Sequence, residues 1–233
     1  MTKPNGLHHV AISTGDIKEQ IAFFSDVLGM ELTALYWMHG VPNTFHGFMK
    51  MGEESVAFVF KNENKEIEPE IGKTHSGNAG NPSAPGTMQH IAFNVDTLGE
   101  LLTMRDRIRS RGINVMGPVD HGLCHSIYFA GPEHLSLEVA TSHSADFPLD
   151  LNGTWIDPEV VGLAGINEAE LKQYMAPAQY EGSAEPLPNP AVDPEKPQMV
   201  YPEGMLEVIM ATPDEALANS VEKNPPSPKG YGA

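Results

Sequence analysis

At 233 residues, 40% apolar and 19% charged, the chain is long enough to bury a real core in one large or two small domains. Its net charge of −17 excludes a protein built to hold nucleic-acid backbones or an anionic membrane surface, and its apolar stretches are too short to span a bilayer. The single cysteine, Cys124, excludes an intramolecular disulfide, and the start MTKPNGLHHV lacks a secretory apolar region, so a cytoplasmic protein is expected.

In chain order, Leu7-His8-His9-Val10-Ala11-Ile12 alternates as a half-buried strand does. Asp16-x-x-Glu19 then reads as a capping box, Ile17, Ile21, Phe24 and Leu28 as one apolar helix stripe, and Gly29 as its stop. Extended segments follow at 30–36, 44–51 and 55–60. Residues 62–85 are polar and rich in Gly, Asn and Pro, which suits a connector or a lid over a site. The strand and the box then recur at an offset of 81 residues, and a second stripe and stop follow them. Met88-Gln89-His90-Ile91-Ala92-Phe93 matches the first strand, Thr97-x-x-Glu100 the box, and Leu98, Leu101, Leu102 and Ile108 the stripe, with Gly112 as the stop. Strands are predicted at 113–115, 125–129 and 135–140. Arg105, Arg107, Arg109 and Arg111 alternate along the second helix and are expected on its solvated face.

Composition shifts near residue 142. Up to Ser142 there are 16 acidic and 10 basic residues; beyond it there are 15 and 4, with 13 of the 20 prolines. One amphipathic helix is predicted at 167–174, after an anchored turn at Trp155-Ile156-Asp157-Pro158. Past Ala176 the prolines predict an extended arm, either disordered or wrapping a neighbouring subunit through Val200, Tyr201, Met205, Leu206, Val208 and Ile209. The expected architecture is α+β. Residues 1–142 form one domain of two paired βαβββ modules (about 5–61 and 86–142, linker 62–85) making a curved mixed sheet around a metal site. Residues 143–233 form an acidic, proline-rich extension that holds a homo-oligomer together.

Strand alternation sorts the histidines. Leu7, His9, Ala11 and Ser13 share one face against His8, Val10 and Ile12; His90, Ala92 and Asn94 oppose Gln89, Ile91 and Phe93. The branched and aromatic faces belong on the helices, leaving His9 and His90 at equivalent places on the small, polar faces. In Leu135-Ser136-Leu137-Glu138-Val139-Ala140, Glu138 lies opposite a continuous Leu-Leu-Val face. A mid-strand carboxylate is costly unless paired or metal-bound, although a surface-facing glutamate is the plain alternative. Two imidazoles and a carboxylate on one side of a metal leave positions open. That arrangement suits non-haem Fe(II), with Mn(II) or Zn(II) as alternatives.

The paired repeat, with its opening run HHVAIST-GDIKEQIAFFSDVLGMEL, resembles the vicinal oxygen chelate superfamily over about residues 5–142. The resemblance implies metal ligands from the first strand of each repeat and the last strand of the second, which are His9, His90 and Glu138. Within it, the segment from His121 through Ile127-Tyr128 and Gly131-Pro132 to Glu138 is similar to the signature of extradiol ring-cleaving dioxygenases, differing in the turn at Gly131 and His134. That similarity implies Tyr128 as the hydrogen-bonding catalytic residue and His121 beside it, with His125 as the rival. The first repeat's counterpart of the Glu138 strand, 56–60, has no carboxylate or histidine, so the fourth protein ligand of glyoxalase-type isomerases is missing. The acid–base histidine of the dioxygenase pattern is replaced there by phenylalanines, leaving His46 or His8 for that work. Trp37, Phe45, Phe48, Phe58 and Phe60 are candidates to line an aromatic pocket.

The expected activity is an Fe(II)-dependent extradiol-type dioxygenase, an enzyme cleaving a small dihydroxylated aromatic of catechol or hydroquinone type with O2. A metal-dependent isomerase, epimerase or lyase on the same scaffold is the alternative. So is a non-enzymatic small-molecule binding or resistance protein.

Overall fold

The computed structural model describes residues 3–149, 153–183 and 185–226. Strand β1 (His9–Thr14) leads into helix α1 (Ile17–Asp26), where the Asp16 carboxylate caps the Glu19 N–H at 3.0 Å. Strands β2 (Glu31–Trp37), β3 (Thr44–Met51) and β4 (Glu54–Lys61) complete a sheet in the order β1-β4-β3-β2, with β1 parallel to β4 and the other pairs antiparallel. The second module repeats this. Strand β5 (Ile91–Asn94), helix α2 (Leu98–Ser110) and strands β6 (Met116–Asp120), β7 (His125–Ala130) and β8 (Ser136–Thr141) form a sheet ordered β5-β8-β7-β6. At α2 the reciprocal capping box of Thr97 and Glu100 is complete. Both helices are followed by a left-handed glycine, Gly29 at φ +77° and Gly112 at φ +78°.

The fold is therefore the α+β pair of βαβββ modules, but the curved sheet is two separate four-stranded sheets. The strand expected at 113–115 begins instead at Met116, because Ile113 and Val115 pack against the core at the close of α2.

One apolar cluster joins the modules. Phe24, fully buried on α1, places its ring 4.8 Å from that of Phe58 and 6.2 Å from that of Phe93. Ile12, Met49 and Val56 continue the cluster in the first sheet, and Leu101, Ile108, Ile127 and Leu137 in the second. Each sheet thus turns its helix-covered face towards the other module.

Polar contacts lock this packing. Arg107 donates to the carbonyl oxygens of Val27 (2.9 Å) and Asp26 (2.8 Å), while Arg111 pairs with the Asp26 carboxylate at 3.0 Å. Arg107 is thereby half-buried, whereas Arg109 and Arg111 stay exposed on the solvated face that the alternation suggested. The last turn of α1 leaves carbonyls without intrahelical partners at the negative end of its dipole, and guanidinium groups satisfy them. A short 3-10 turn at Pro132–His134 supplies the second lock. Glu133, in left-handed backbone at φ +53°, accepts from the Gly15 N–H and from Gln20 Nε2, both at 2.7 Å.

Residues 62–85 are more than a connector. They open with a 3-10 helix, Asn62–Glu66, from which Asn64 Nδ2 donates to Thr14 O and Val59 O. Beyond residue 142, α3 (Pro158–Leu163) precedes the predicted helix position and α4 (Glu168–Met175) occupies it. Two further short helices, α5 (Met205–Ala211) and α6 (Asp214–Ala218), interrupt what was read as extended arm. Of the proposed arm anchors, Val200, Tyr201, Met205 and Val208 are exposed. The end of that extension, 227–233, lies outside the described residues. Among the described residues no helix is long and apolar enough to cross a membrane.

Glu133→Ala would leave the fully buried Gln20 amide and the Gly15 N–H without their acceptor. The expected loss is about 1–3 kcal/mol of stability, read as a lower urea midpoint at unchanged slope. An unchanged midpoint would mean that water replaces the carboxylate at no cost.

Candidate metal and catalytic site

Alternation along β8 sends Leu137 and Val139 into the core and Glu138 to the opposite face, where its side chain is nonetheless buried, at 6% exposure. The strand register sets Glu138 between Ala92 of β5 and Tyr128 of β7. Immediately before β5, His90 reaches across so that its Nε2 lies 3.0 Å from Glu138 Oε2. The other ring nitrogen, Nδ1, is held by the Gln89 side-chain carbonyl, while the Gln89 backbone oxygen accepts from Ser76 Oγ at 2.5 Å. His90 is thus oriented from behind, with one nitrogen aimed at a buried carboxylate.

Tyr128 adjoins this pair. Its hydroxyl lies 2.9 Å from His121 Nε2. Burial raises the phenol above the ordinary tyrosine value; the Ser126 hydrogen bond opposes the shift and the Glu138 charge adds to it. The hydroxyl therefore keeps its proton at neutral pH. Of the two histidines proposed beside Tyr128, the structure brings His121 there. His125 turns towards Asp120, at 3.6 Å, and its Nδ1 is buried without a hydrogen-bond partner.

The first sheet presents a second cluster on its outer face. His9, Ala11 and Ser13 are exposed there. The His9 ring meets the Phe48 ring at 5.7 Å, and His9 Nδ1 lies 2.9 Å from His8 Nδ1. His46 on β3 shares this face, with ring centroids 4.9 Å from Phe48 and 4.4 Å from Tyr36. Its Nε2 is buried and unpartnered. Burial, then the nearby His39 and His9, holds its pKa below the ordinary histidine value.

His9 does not join His90 and Glu138. Among the described residues, no three His, Cys, Asp or Glu side chains lie close enough to hold one metal ion. Within one chain, then, the site offers one imidazole nitrogen and one carboxylate oxygen, a fit for two coordination positions but not for the three-ligand set expected from the sequence.

The aromatic candidates also divide. Phe58 is completely buried against Phe24 in the shared core, so it cannot line a substrate pocket. Phe45 stacks on Phe60 at 4.6 Å and meets Trp37 edge-on at 5.6 Å, on the face opposite His9. Phe48 alone of the five stands beside His9. Sequence reasoning missed Tyr36, His39 and Gln89. The β2–β3 register sets Tyr36 opposite His46, and only that register shows them to be neighbours.

Residues 6–139 match the family model described as Glyoxalase/Bleomycin resistance protein/Dioxygenase superfamily. The chain is similar to Biphenyl-2,3-diol 1,2-dioxygenase 2 of Rhodococcus globerulus, 28% identical over 133 residues, covering 57% of this chain and 60% of that protein's length. It is also similar to Biphenyl-2,3-diol 1,2-dioxygenase 3 of the same organism, 23% identical over 186 residues, covering 73% and 89%. A glyoxylase/bleomycin resistance protein/dioxygenase domain from Frankia sp. EAN1pec, of known structure, is 11% identical with a TM-score of 0.49, covering 61% of this chain and 95% of that one.

In the metal-free protein, NMR titration of the histidine ring protons should find His46 protonating below the ordinary 6.5. His39→Ala should move it back upwards, by removing one of the neighbouring charges that disfavour the imidazolium. A His46 that titrates above 6.5 would contradict the burial argument.

Proposed function

This chain belongs to the Glyoxalase/Bleomycin resistance protein/Dioxygenase superfamily, and on that premise we propose that it is an Fe(II)-dependent extradiol-type dioxygenase of small dihydroxylated aromatics. The observation that carries this reading is the buried Glu138 carboxylate, paired with His90 and flanked by the Tyr128–His121 hydrogen bond. The two similar biphenyl-2,3-diol dioxygenases support a diol substrate and dioxygen, and the chain spans 60% of the length of the first.

In this reading His90 and Glu138 would hold the metal, His9 standing apart from them on the other sheet. Fe(II) held there would supply Lewis-acid and redox chemistry for a diol and dioxygen. The protein's share of the work is positional and protic. Tyr128, kept protonated by its surroundings and oriented by His121, donates a hydrogen bond from its phenolic oxygen to an oxygen bound beside Glu138. His46, with its unpartnered Nε2 and the rings of Phe48 and Tyr36 beside it, lies in the separate cluster on the first sheet and is given no proton transfer at Glu138. Neither His8 nor His125 is given a proton-transfer role, since His8 is turned to His9 and His125 to Asp120.

The test is direct. The protein is loaded anaerobically with Fe(II), given a panel of catechols, hydroquinones and biphenyl-2,3-diol, and then exposed to air. Oxygen uptake with a coloured ring-opened product is expected from at least one compound, and chelation of the metal should abolish it. Tyr128→Phe should lower kcat by about 10²–10⁴-fold, the range for loss of a positioned proton donor, with a smaller change in KM. Loading with Zn(II), which has no redox chemistry, should give no uptake. Absence of oxygen consumption across the whole panel would sink the dioxygenase reading.

A further inference from the structure

We infer that Trp155, from the extension beyond residue 142, is a positioning residue of this site: acting through Phe147 and Gly122, it holds the His121 imidazole on the Tyr128 hydroxyl. The inference rests on the dioxygenase reading for its effect on turnover, and on the contacts alone for its effect on His121.

His121 needs such a hold. It is exposed, in the turn that joins β6 to β7, and water can replace its 2.9 Å bond to the Tyr128 hydroxyl at little cost. The turn is shaped from within. Asp120 Oδ1 accepts from the Gly122 N–H at 2.8 Å, and the Cys124 carbonyl accepts from the His121 N–H at 2.9 Å. Both bonds begin and end inside the turn, so they fix its shape but leave it free to tilt as a unit about the strand ends.

The tie to the remainder of the chain comes from residues that follow the Glu138 strand. After β8 the chain doubles back, and the Phe147 N–H donates to the Gly122 carbonyl at 2.9 Å. The Trp155 indole N–H then donates to the Phe147 carbonyl at 2.8 Å. The same indole lies over Gly122, where a Cβ would meet Trp155 Cη2 at 3.4 Å and Cζ2 at 3.7 Å. Gly122 is in left-handed backbone, at φ +77°, which glycine adopts freely, and its bare Cα leaves a flat surface for the ring. Tryptophan supplies both parts of this contact, an apolar face and a donor at the ring edge; phenylalanine would supply only the face.

Trp155 itself stands on packed structure. The Ile156 N–H donates to the Gly153 carbonyl at 3.0 Å, Asp157 caps α3, and Gly153 lies against Ile156 and against Met175 of α4. The two helices thus support a turn whose tip rests on the loop of His121. At 45% exposure Trp155 adds little to any core, so bracing that loop is what its contacts accomplish.

The first part of the test needs no turnover. Full-length, metal-free protein is labelled with isotopic nitrogen on histidine, and the His121 Nε2 signal is identified by its loss in His121→Gln. Tyr128→Phe removes the hydroxyl and should shift that signal. Trp155→Ala should move it to nearly the same place, and Trp155→Phe part of the way. Glu133→Ala, which loosens the module joint instead, should leave it unmoved. A His121 signal that Trp155→Ala does not move would overturn the inference. So would a wild-type signal indifferent to Tyr128→Phe, since there would be no hydrogen bond for Trp155 to hold. If Trp155→Ala fails to fold, Trp155→Phe decides alone, and an unmoved signal there overturns the inference. The second part measures turnover of a diol by the Fe(II)-loaded protein. Trp155→Ala should lower kcat by about 10²-fold, the range for misplacement of a catalytic group, with a smaller change in KM. In a His121→Ala background the same substitution should lower kcat by less than about twofold, because the residue through which it acts is already gone. Full additivity of the two losses would overturn the inference. Wild-type protein that turns over no diol would remove the dioxygenase reading, while the His121 signal still decides the role of Trp155.

Discussion

Phe24 lies at the contact on which the arrangement of this molecule depends. A module of four strands and one helix has a single apolar face, and the helix covers only part of it. Setting Phe24 between Phe58 and Phe93 lets two such modules bury their helix sides in one cluster. Arg107 and Glu133 then make that geometry specific, since each satisfies backbone groups that the packing itself removes from water. The outward direction of His9, His90 and Glu138 is a consequence. Strands alternate, so whatever does not face the shared core must face away from it.

The polar side of the sheets carries its own cost. A carboxylate at the exposure of Glu138 is destabilising unless its charge is matched, and His90 and Tyr128 are the groups arranged around it. The orphaned Nε2 of His46 is a similar debt on the other sheet. Buried polar atoms without partners are uncommon in folded proteins, and such atoms beside candidate ligands favour a reading in which something else completes the shell. A divalent ion and an aromatic diol are the completing partners proposed here.

The extension beyond residue 142 is organised differently. Its helices are short, and Leu163, Val200 and Val208 remain exposed on them or beside them. Trp155 is an exception: its indole N–H donates to the Phe147 carbonyl while its ring lies over Gly122, next to His121. The turn at 155–158 therefore reaches the loop that carries the Tyr128 partner, and this link could not be read from composition.

Much of the fold was legible because it depends on local periodicity. The cap at Asp16, the box at Thr97 and the stops at Gly29 and Gly112 are properties of segments shorter than twenty residues, and their recurrence along the chain determined two βαβββ modules. Period-two alternation also determined which face of its own strand His9, His90 and Glu138 would occupy. The register between strands was not legible, so Tyr36 was missed beside His46 and Phe58 was placed in a pocket rather than in the core. Nor was the fate of Arg107 on α2, whose partners are carbonyls about 80 residues away. By itself, then, the sequence determined the modules and the face on which each candidate ligand lies. Only the tertiary structure decided how the modules meet, and hence that His90 and Glu138 come together while His9 stands apart. Periodicity constrains neighbours along a strand, whereas the meeting of two sheets depends on side-chain packing between segments distant in the chain.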